Sequence, residues 1–346
     1  MTAWARTWAK GSLPAGVRAS RACYASLVLV ATSASASDPL ALVELPPKPL
    51  GPGDVRVRVR AIGVNPVDWK MRSGGPLRLA HRLVGPSGPL VVGVDFAGEV
   101  VEVGSAVAGL TPGNRVVGGT DFSRKQRGSY ADEVVVRPDQ CAVLPDAVGF
   151  EQAACLPVAG VTAWLALTKL SHVSEKPGSR VLVLAASGGV GLMTLQLAKR
   201  FGAVTVGVCS SRNVGIVERF GATAFDYGRG DPLVAAKQHG PYDLVLHAIG
   251  TQAYPLTACR ALLGPTGSVT LVAVRPADYP AILFAGSTRT VLGRPTTSTL
   301  TPLVAALAKG ELEPIIQRTY ALADAEQAHV ESKAGKVVGK LLLIPG

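Results

Sequence analysis

A chain of 346 residues, 48% hydrophobic and 17% charged, is long enough for two domains and too apolar for a disordered segment. Its 39 glycines and 25 prolines exclude a helical bundle, and no unbroken apolar run approaches the roughly 18 residues of a membrane span. The net charge of +11 comes from scattered basic residues without a zinc-finger or RNA-binding signature, so a solvated basic surface is expected and a nucleic-acid partner is not.

The first 37 residues carry no acidic side chain, but they do carry Arg6, Lys10, Arg18 and Arg21 among many Ala, Ser and Thr. That is the composition of an organelle transit peptide, and residues 1–21 are read as a targeting extension. The bland alternative is a tail with no address. Residues 27–31 followed by Ala34-Ser35-Ala36 imitate a secretory signal, yet the basic segment before them is too long and 24–30 suits a first strand.

Residues 22–150 read as a β-rich unit of short strands broken by Gly and Pro. In 55–60, Val and Arg alternate as in a half-buried strand, and 91–103 and 134–136 add β-type sequence. The text changes near 151, where 151–170 reads as a helix bent by Pro157 and Gly160. Strands at 180–185, 204–209, 244–248 and 268–274 then alternate with helices at 190–201, 214–220 and 253–263. This predicts βαβ units around a parallel sheet over 151–294. Helices at 301–309 and 324–332 and a strand at 337–344 are expected to return to the β-rich unit, and 74–88 and 277–299 read as loops walling a cleft. The five cysteines, at 23, 141, 155, 209 and 259, form neither CxxC nor CxxH and read as free thiols.

The strongest motif is VLVLAASGGVGLMTLQLAK at 181–199, an apolar strand running through a glycine turn into a helix. Set against GxGxxG, Ala186 takes the first position, with Gly188 and Gly191 the others. Ser187, Gly188, Gly189, Val190 and Gly191 are therefore assigned to a dinucleotide pyrophosphate, which a glycine turn lets approach and a helix N-terminus stabilises. About twenty residues on, an NAD enzyme places an acid for the ribose. Here the second strand ends in Ser210, Ser211 and Arg212, with no carboxylate, which suits the 2′-phosphate of NADPH; the plain alternative is a polar turn.

These residues, in this order, resemble the zinc-independent, quinone oxidoreductase-like branch of the medium-chain dehydrogenase/reductases, most of all its plant chloroplast-envelope members. The resemblance runs from about residue 40 to the C-terminus through GVNPVDWK at 63–70, GVDFAGEVVEVG at 93–104, GSYA at 128–131, LPVAGVTA at 156–163 and the glycine loop. It implies an α/β chain with a GroES-like catalytic domain, completed by 295–346, and a Rossmann domain. It also implies NADPH-dependent reduction of the C=C bond of α,β-unsaturated carbonyls. Zinc relatives have Cys in place of Asn65 and a His-Glu pair in place of Val94-Asp95, so no metal ligands are assigned.

By the same resemblance Asn65 lies beside the nicotinamide ribose, Tyr227 near the adenosine phosphate, and Thr162 and Leu271 against the coenzyme, Leu271 through its backbone. Lys70, Tyr130 and His247 are candidates to polarise the substrate or to donate a proton. Each also has a plain reading: solvated, packed, or a hydrogen-bonded structural histidine. Asp68 is either an anchor for the Asn65 loop or a turn cap. The expected partner is a small carbonyl or quinone, with homodimerisation, peripheral membrane attachment and a chloroplast rather than mitochondrial address borrowed from the family. Quinone reduction, and coenzyme binding without turnover, are the competing functions.

Overall fold

The computed structural model describes residues 26–31 and 40–346, so the targeting extension read at 1–21 lies outside the described residues. Strand Ser26–Ala31 pairs antiparallel with Leu40–Leu45 and with Leu90–Val91.

A seven-stranded sheet organises the β-rich unit. Its spine, Val55–Val64, alternates in its first half: Val55, Val57 and Val59 are buried, while Arg56 and Arg60 pair with Glu102 and Glu99 on the outer face. From Ala61 to Val64 every residue is buried, because the strand there leaves the surface and runs to the site, delivering Asn65 at its end. Beside the spine lies Asp95–Val103, followed by Arg115–Gly119 and Cys141–Val143, with Glu133–Val136 pairing the outer half of the spine. On the other flank, Lys340–Ile344 pairs antiparallel with residues 62–64 and parallel with Ile316–Ala321. The last strand does return to the β-rich unit.

The second sheet is parallel throughout. Its order is Thr223–Asp226, Val204–Cys209, Arg180–Leu184, Tyr242–His247, Leu263–Leu271, Thr288–Thr290, or 3-2-1-4-5-6 in sequence terms. That is the doubly wound dinucleotide-binding order, with its switch point beside the carboxyl end of Arg180–Leu184. Covered on both faces by helices, Val181–Leu184 is wholly buried, as the unbroken apolar run requires.

Residues Phe150–Leu170 form one helical stretch of 21 residues with mean hydropathy 1.5. By length and composition it could cross a membrane, but it is packed mostly inside the fold. Pro157 and Gly160 bend it through a wider π-type turn at Leu156–Gly160, and a second follows at Ala166–Leu170.

Two stretches read as loops are partly regular. Gly75–Val84 is a helix whose Pro76 sits in the first turn, where a missing N–H costs nothing. Within 277–299 lie the helix Tyr279–Phe284 and the edge strand Thr288–Thr290. Dense Gly and Pro at the ends hid both.

Candidate functional site

The glycine loop lies between Arg180–Leu184 and the helix Gly189–Arg200. The tight turn falls on Ala185, at φ 67°, rather than on the expected glycine position. A side chain on Gly191 would come within 2.4 and 2.5 Å of the Ala185 and Ala186 carbonyl oxygens, so helix and strand can pack this closely only with glycine there. On Gly188 it would meet only the Ala185 carbonyl, at 3.5 Å, so this residue faces open space. No side chain caps this helix, which leaves its first N–H groups for a ligand. An uncapped twelve-residue helix behind a glycine cradle fits a pyrophosphate. Ser187 is held from both sides: its hydroxyl accepts from Asn213 Nδ2 at 2.9 Å and its carbonyl from Gly339 N at 2.9 Å. The β-rich unit thus docks on the loop through a bridge between Gly188 and Gly339.

At the adenosine end, Ser210, Ser211 and Arg212 follow Val204–Cys209 as expected, and Tyr227 is exposed after the third strand. One expectation is corrected. The third strand brings Asp226 opposite Cys209, and the Ser211 hydroxyl donates to its carboxylate at 2.6 Å. An acid does stand here, supplied from the neighbouring strand, where reading along the second strand could not find it. The Ser211 hydroxyl and the Gly228 N–H hold Asp226 below the usual carboxylate range, and Arg229 lies 3.4 Å from it. Arg212 is exposed and donates to the Lys336 carbonyl at 3.1 Å.

At the other end Asn65 is buried. Its backbone N–H donates to Asp68 Oδ2 at 2.7 Å, so Asp68 both caps the helix Pro66–Arg72 and anchors the Asn65 loop. The Asn65 side chain donates from Nδ2 to the Gly63 carbonyl and accepts at Oδ1 from Lys340 Nζ, 2.6 Å away. The same ammonium reaches Asp95 Oδ2 at 3.2 Å and the Val64 carbonyl at 3.1 Å. Asp95 in turn accepts the Val158 N–H at 3.0 Å.

Behind Asp68 runs a buried chain of fixed direction. Arg72, in an ion pair with Glu326, donates to His329 Nδ1 at 3.0 Å, so the His329 proton must sit on Nε2 and point at the Tyr130 oxygen, 2.9 Å away. Tyr130 is then free to donate to Asp68 Oδ2, at 3.3 Å. Burial, aided by Arg72 and Lys333, lowers the His329 pKa to about 3 and keeps the ring neutral. Burial, with Asp95 nearby, raises Asp68 to about 7, against the pull of the Asn65 N–H, Lys340 and Tyr130. Asp68 Oδ1 is buried without a protein partner, so a proton on this carboxyl belongs there.

The remaining candidates sort differently. His247 is fully buried and its Nε2–H donates to the Tyr254 carbonyl at 2.9 Å, while burial lowers its pKa. Its one proton is committed to the backbone, so the geometry gives the structural reading and not a proton donor. Lys70 is exposed over the Trp69 ring, the solvated reading. Tyr130 is wholly buried and acts on Asp68 rather than on a ligand. Thr162 is buried against Gly293, and the Leu271 carbonyl accepts from Val291 N and Thr290 Oγ1.

Lys340, Asp95, Arg72 and His329 were not among the predicted site residues. The available signals were a lysine inside the otherwise apolar strand at 337–344 and a histidine beside the small residues Ala325 and Ala328 on a helix. Among the described residues no group of three or more His, Cys, Asp or Glu side chains is placed to share a metal ion.

The chain matches the alcohol dehydrogenase GroES-like domain over residues 51–146 and the zinc-binding dehydrogenase family over residues 220–343. It is 31% identical over 307 residues to the chloroplast envelope quinone oxidoreductase homolog of Arabidopsis thaliana, covering 84% of this chain and 90% of that protein. It is 33% identical over 207 residues to the trans-enoyl reductase pgmF of Aspergillus terreus, covering 58% of this chain and 56% of that one. Among solved structures, the quinone oxidoreductase of Coxiella burnetii superposes with a TM-score of 0.83 at 28% identity, covering 92% of this chain and 99% of that one. With the 3-2-1-4-5-6 sheet, the glycine cradle and Asn65 in place, the chain belongs to the quinone oxidoreductase-like branch of the medium-chain dehydrogenase/reductases, oxidoreductases that bind a nicotinamide dinucleotide.

Proposed function

We propose that the protein reduces the C=C bond of α,β-unsaturated carbonyls with NADPH and without zinc. The observation that carries the reading is Asn65: a buried amide with Oδ1 held by an ammonium and its Nδ2 hydrogens turned to the Gly63 carbonyl and the Asp95 carboxylate, an N–H face that a ligand acceptor would share. Reducing an enone needs a hydride on the β-carbon, a proton on the α-carbon, and a donor for the charge growing on the carbonyl oxygen. The bound reduced nicotinamide supplies the hydride. Asn65 orients the coenzyme, Thr162 and residues 187–191 hold it, and the backbone near Leu271 flanks it. Val94 and Asn65, standing where zinc relatives carry His and Cys, offer hydrogen bonding and apolar contact instead of metal ligation. A water-sized pocket lined by Met71, His81, Gly93, Val94, Phe122 and Gln126 lies beside the helix Pro66–Arg72. Water supplies the α-carbon proton, since Tyr130 and His247 both spend their protons inside the protein.

NADPH is favoured over NADH because Arg212 and Arg229 outnumber Asp226 at the adenosine end. Quinone reduction is the second reading, favoured by the names of the Arabidopsis and Coxiella relatives. The basic, acid-free N-terminus and the name of the Arabidopsis relative support an organelle address, the chloroplast ahead of the mitochondrion. Coenzyme oxidation measured with a panel of enones, long-chain ketols and quinones separates the readings. The enone reading expects the highest kcat/KM on enones or ketols. Turnover of quinones alone favours the second reading, and coenzyme binding with no turnover of any acceptor contradicts both.

A further inference from the structure

We propose that Lys340 is a positioning residue that fixes the polarity of Asn65, so that the cleft is offered an N–H and never a carbonyl. The inference rests on Asn65 belonging to the site and says which face of it a ligand meets. An asparagine amide can be turned end for end at almost no change in shape, so its partners must decide its orientation. Here both do. An ammonium has only hydrogens to give, and it lies 2.6 Å from Oδ1. A carbonyl has only lone pairs, and Gly63 O lies 3.2 Å from Nδ2. Turning the amide would oppose donor to donor and acceptor to acceptor at once. With one Nδ2 hydrogen on Gly63, the second is turned toward the Asp95 carboxylate, whose pKa it helps to lower, and it is this N–H that a ligand acceptor would share.

Lys340 itself has nothing left to give. Its three N–H groups meet three acceptors, Asn65 Oδ1, Asp95 Oδ2 and the Val64 carbonyl, and its side chain is 4% exposed. It therefore acts through Asn65 and not on coenzyme or substrate. Its stem lies over the glycine loop: a side chain on Gly189 would come within 3.0 Å of Lys340 Cδ. Gly189 thus makes room for the lysine as well as for a phosphate, and the Gly339 N–H on Ser187 O registers the strand on the loop. One strand, reaching across from the β-rich sheet, ties the coenzyme cradle to the amide that faces the cleft. The ligand atom opposite Asn65 is accordingly an acceptor, a ribose hydroxyl oxygen or a substrate carbonyl oxygen.

Lys340→Met alone strands the buried Asp95 carboxylate, so the informative variant is the double Lys340→Met, Asp95→Asn, which removes both charges. Three readouts are compared with wild type: the dissociation constant for NADPH by fluorescence titration, kcat on the best acceptor, and solvent exchange of the Asn65 side-chain NH2 in protein labelled with 15N-asparagine, assigned by its loss in Asn65→Ala. The expected result is a dissociation constant within about threefold, kcat down about ten- to thirtyfold for one charge-assisted hydrogen bond lost behind the amide, and exchange at least about tenfold faster. Lys340→Arg, which keeps the donors, is expected to recover much of the loss. A double variant with wild-type kcat and unchanged NH2 exchange overturns the proposal, as does a coenzyme affinity that falls as far as kcat while NH2 exchange stays unchanged, because the ammonium would then act on the coenzyme directly and not through Asn65. If no acceptor is turned over at all, the enone and quinone readings fail while the exchange measurement still judges Lys340.

Discussion

The two ends of the coenzyme crevice are built on opposite plans. At the adenosine end the polar groups, Ser211, Arg212, Tyr227 and Arg229, are exposed and come from two adjacent strand ends. At the Asn65 end they are buried and come from four distant segments: Asp68 and Arg72, Asp95, Tyr130, and His329 with Lys340. Exposed groups can rearrange, and the fold loses little when one is deleted. Buried groups must be fully partnered or pay for their desolvation, so each holds its neighbours in one arrangement. The first end is open to adjustment, and the second is locked.

The largest expected effect breaks the buried end. His329→Phe leaves Arg72 and Tyr130 without their shared partner inside the protein, and urea unfolding should show about 2–4 kcal/mol lost. A loss near zero would mean that the chain from Arg72 to Asp68 orders nothing.

The exposed end is tested by Arg212→Ala. It should raise the KM for NADPH about ten- to hundredfold, the worth of one charge-assisted contact, and leave that for NADH nearly unchanged. Asp226→Asn should move the preference the other way, lowering the KM for NADPH. Equal effects on both coenzymes would remove the 2′-phosphate from this pocket.

A third prediction uses pH. His329 has a folded pKa of about 3, below its unfolded 6.5, so the unfolded chain binds the extra proton and stability falls as pH drops below 6.5. Asp68 has a folded pKa of about 7, above its unfolded 3.8, so the folded chain holds the extra proton and stability falls as pH rises from 3.8 to 7. Between about pH 4 and 6.5 the two slopes oppose and nearly cancel. Asp68→Asn, which keeps an acceptor for Asn65 and Tyr130, should uncover the histidine: stability then rises with pH by up to about 1.4 kcal/mol per unit across that window. Chemical denaturation at pH 4.5, 5.5 and 6.5 reads this directly, and an unchanged slope would refute the opposition.

The smallest effect lies between the two ends. Ala185 holds a left-handed backbone in the glycine loop, and Ala185→Gly should relieve that strain, raising stability by less than about 1 kcal/mol once the freer unfolded chain is counted. Destabilisation in a thermal scan would show that the alanine methyl has a packing role.

The same contrast explains what could be read in advance. Strand-helix alternation from 180 to 274 and the glycine loop are local patterns, and the parallel sheet followed from them. The place of Ser211 and Arg212 after Val204–Cys209 was legible because a strand end is a local address. Asp226 was missed because it reaches the same pocket from the next strand over. Lys340, Asp95 and His329 were missed for a stronger form of that reason: Lys340 lies 275 positions from Asn65, and His329 lies 199 from Tyr130. The place of His247 at a strand end left a proton donor and a structural histidine both open; the Tyr254 carbonyl takes its proton, and no periodicity reports that.

The most direct test of the account is isotope transfer. With NADPH carrying deuterium at the reactive C4 position, the product of an accepted enone is expected to hold that deuterium on the β-carbon, with a proton from water on the α-carbon and the carbonyl intact. Deuterium on the carbonyl carbon, giving an alcohol, would contradict C=C reduction in a cleft organised around the Asn65 amide.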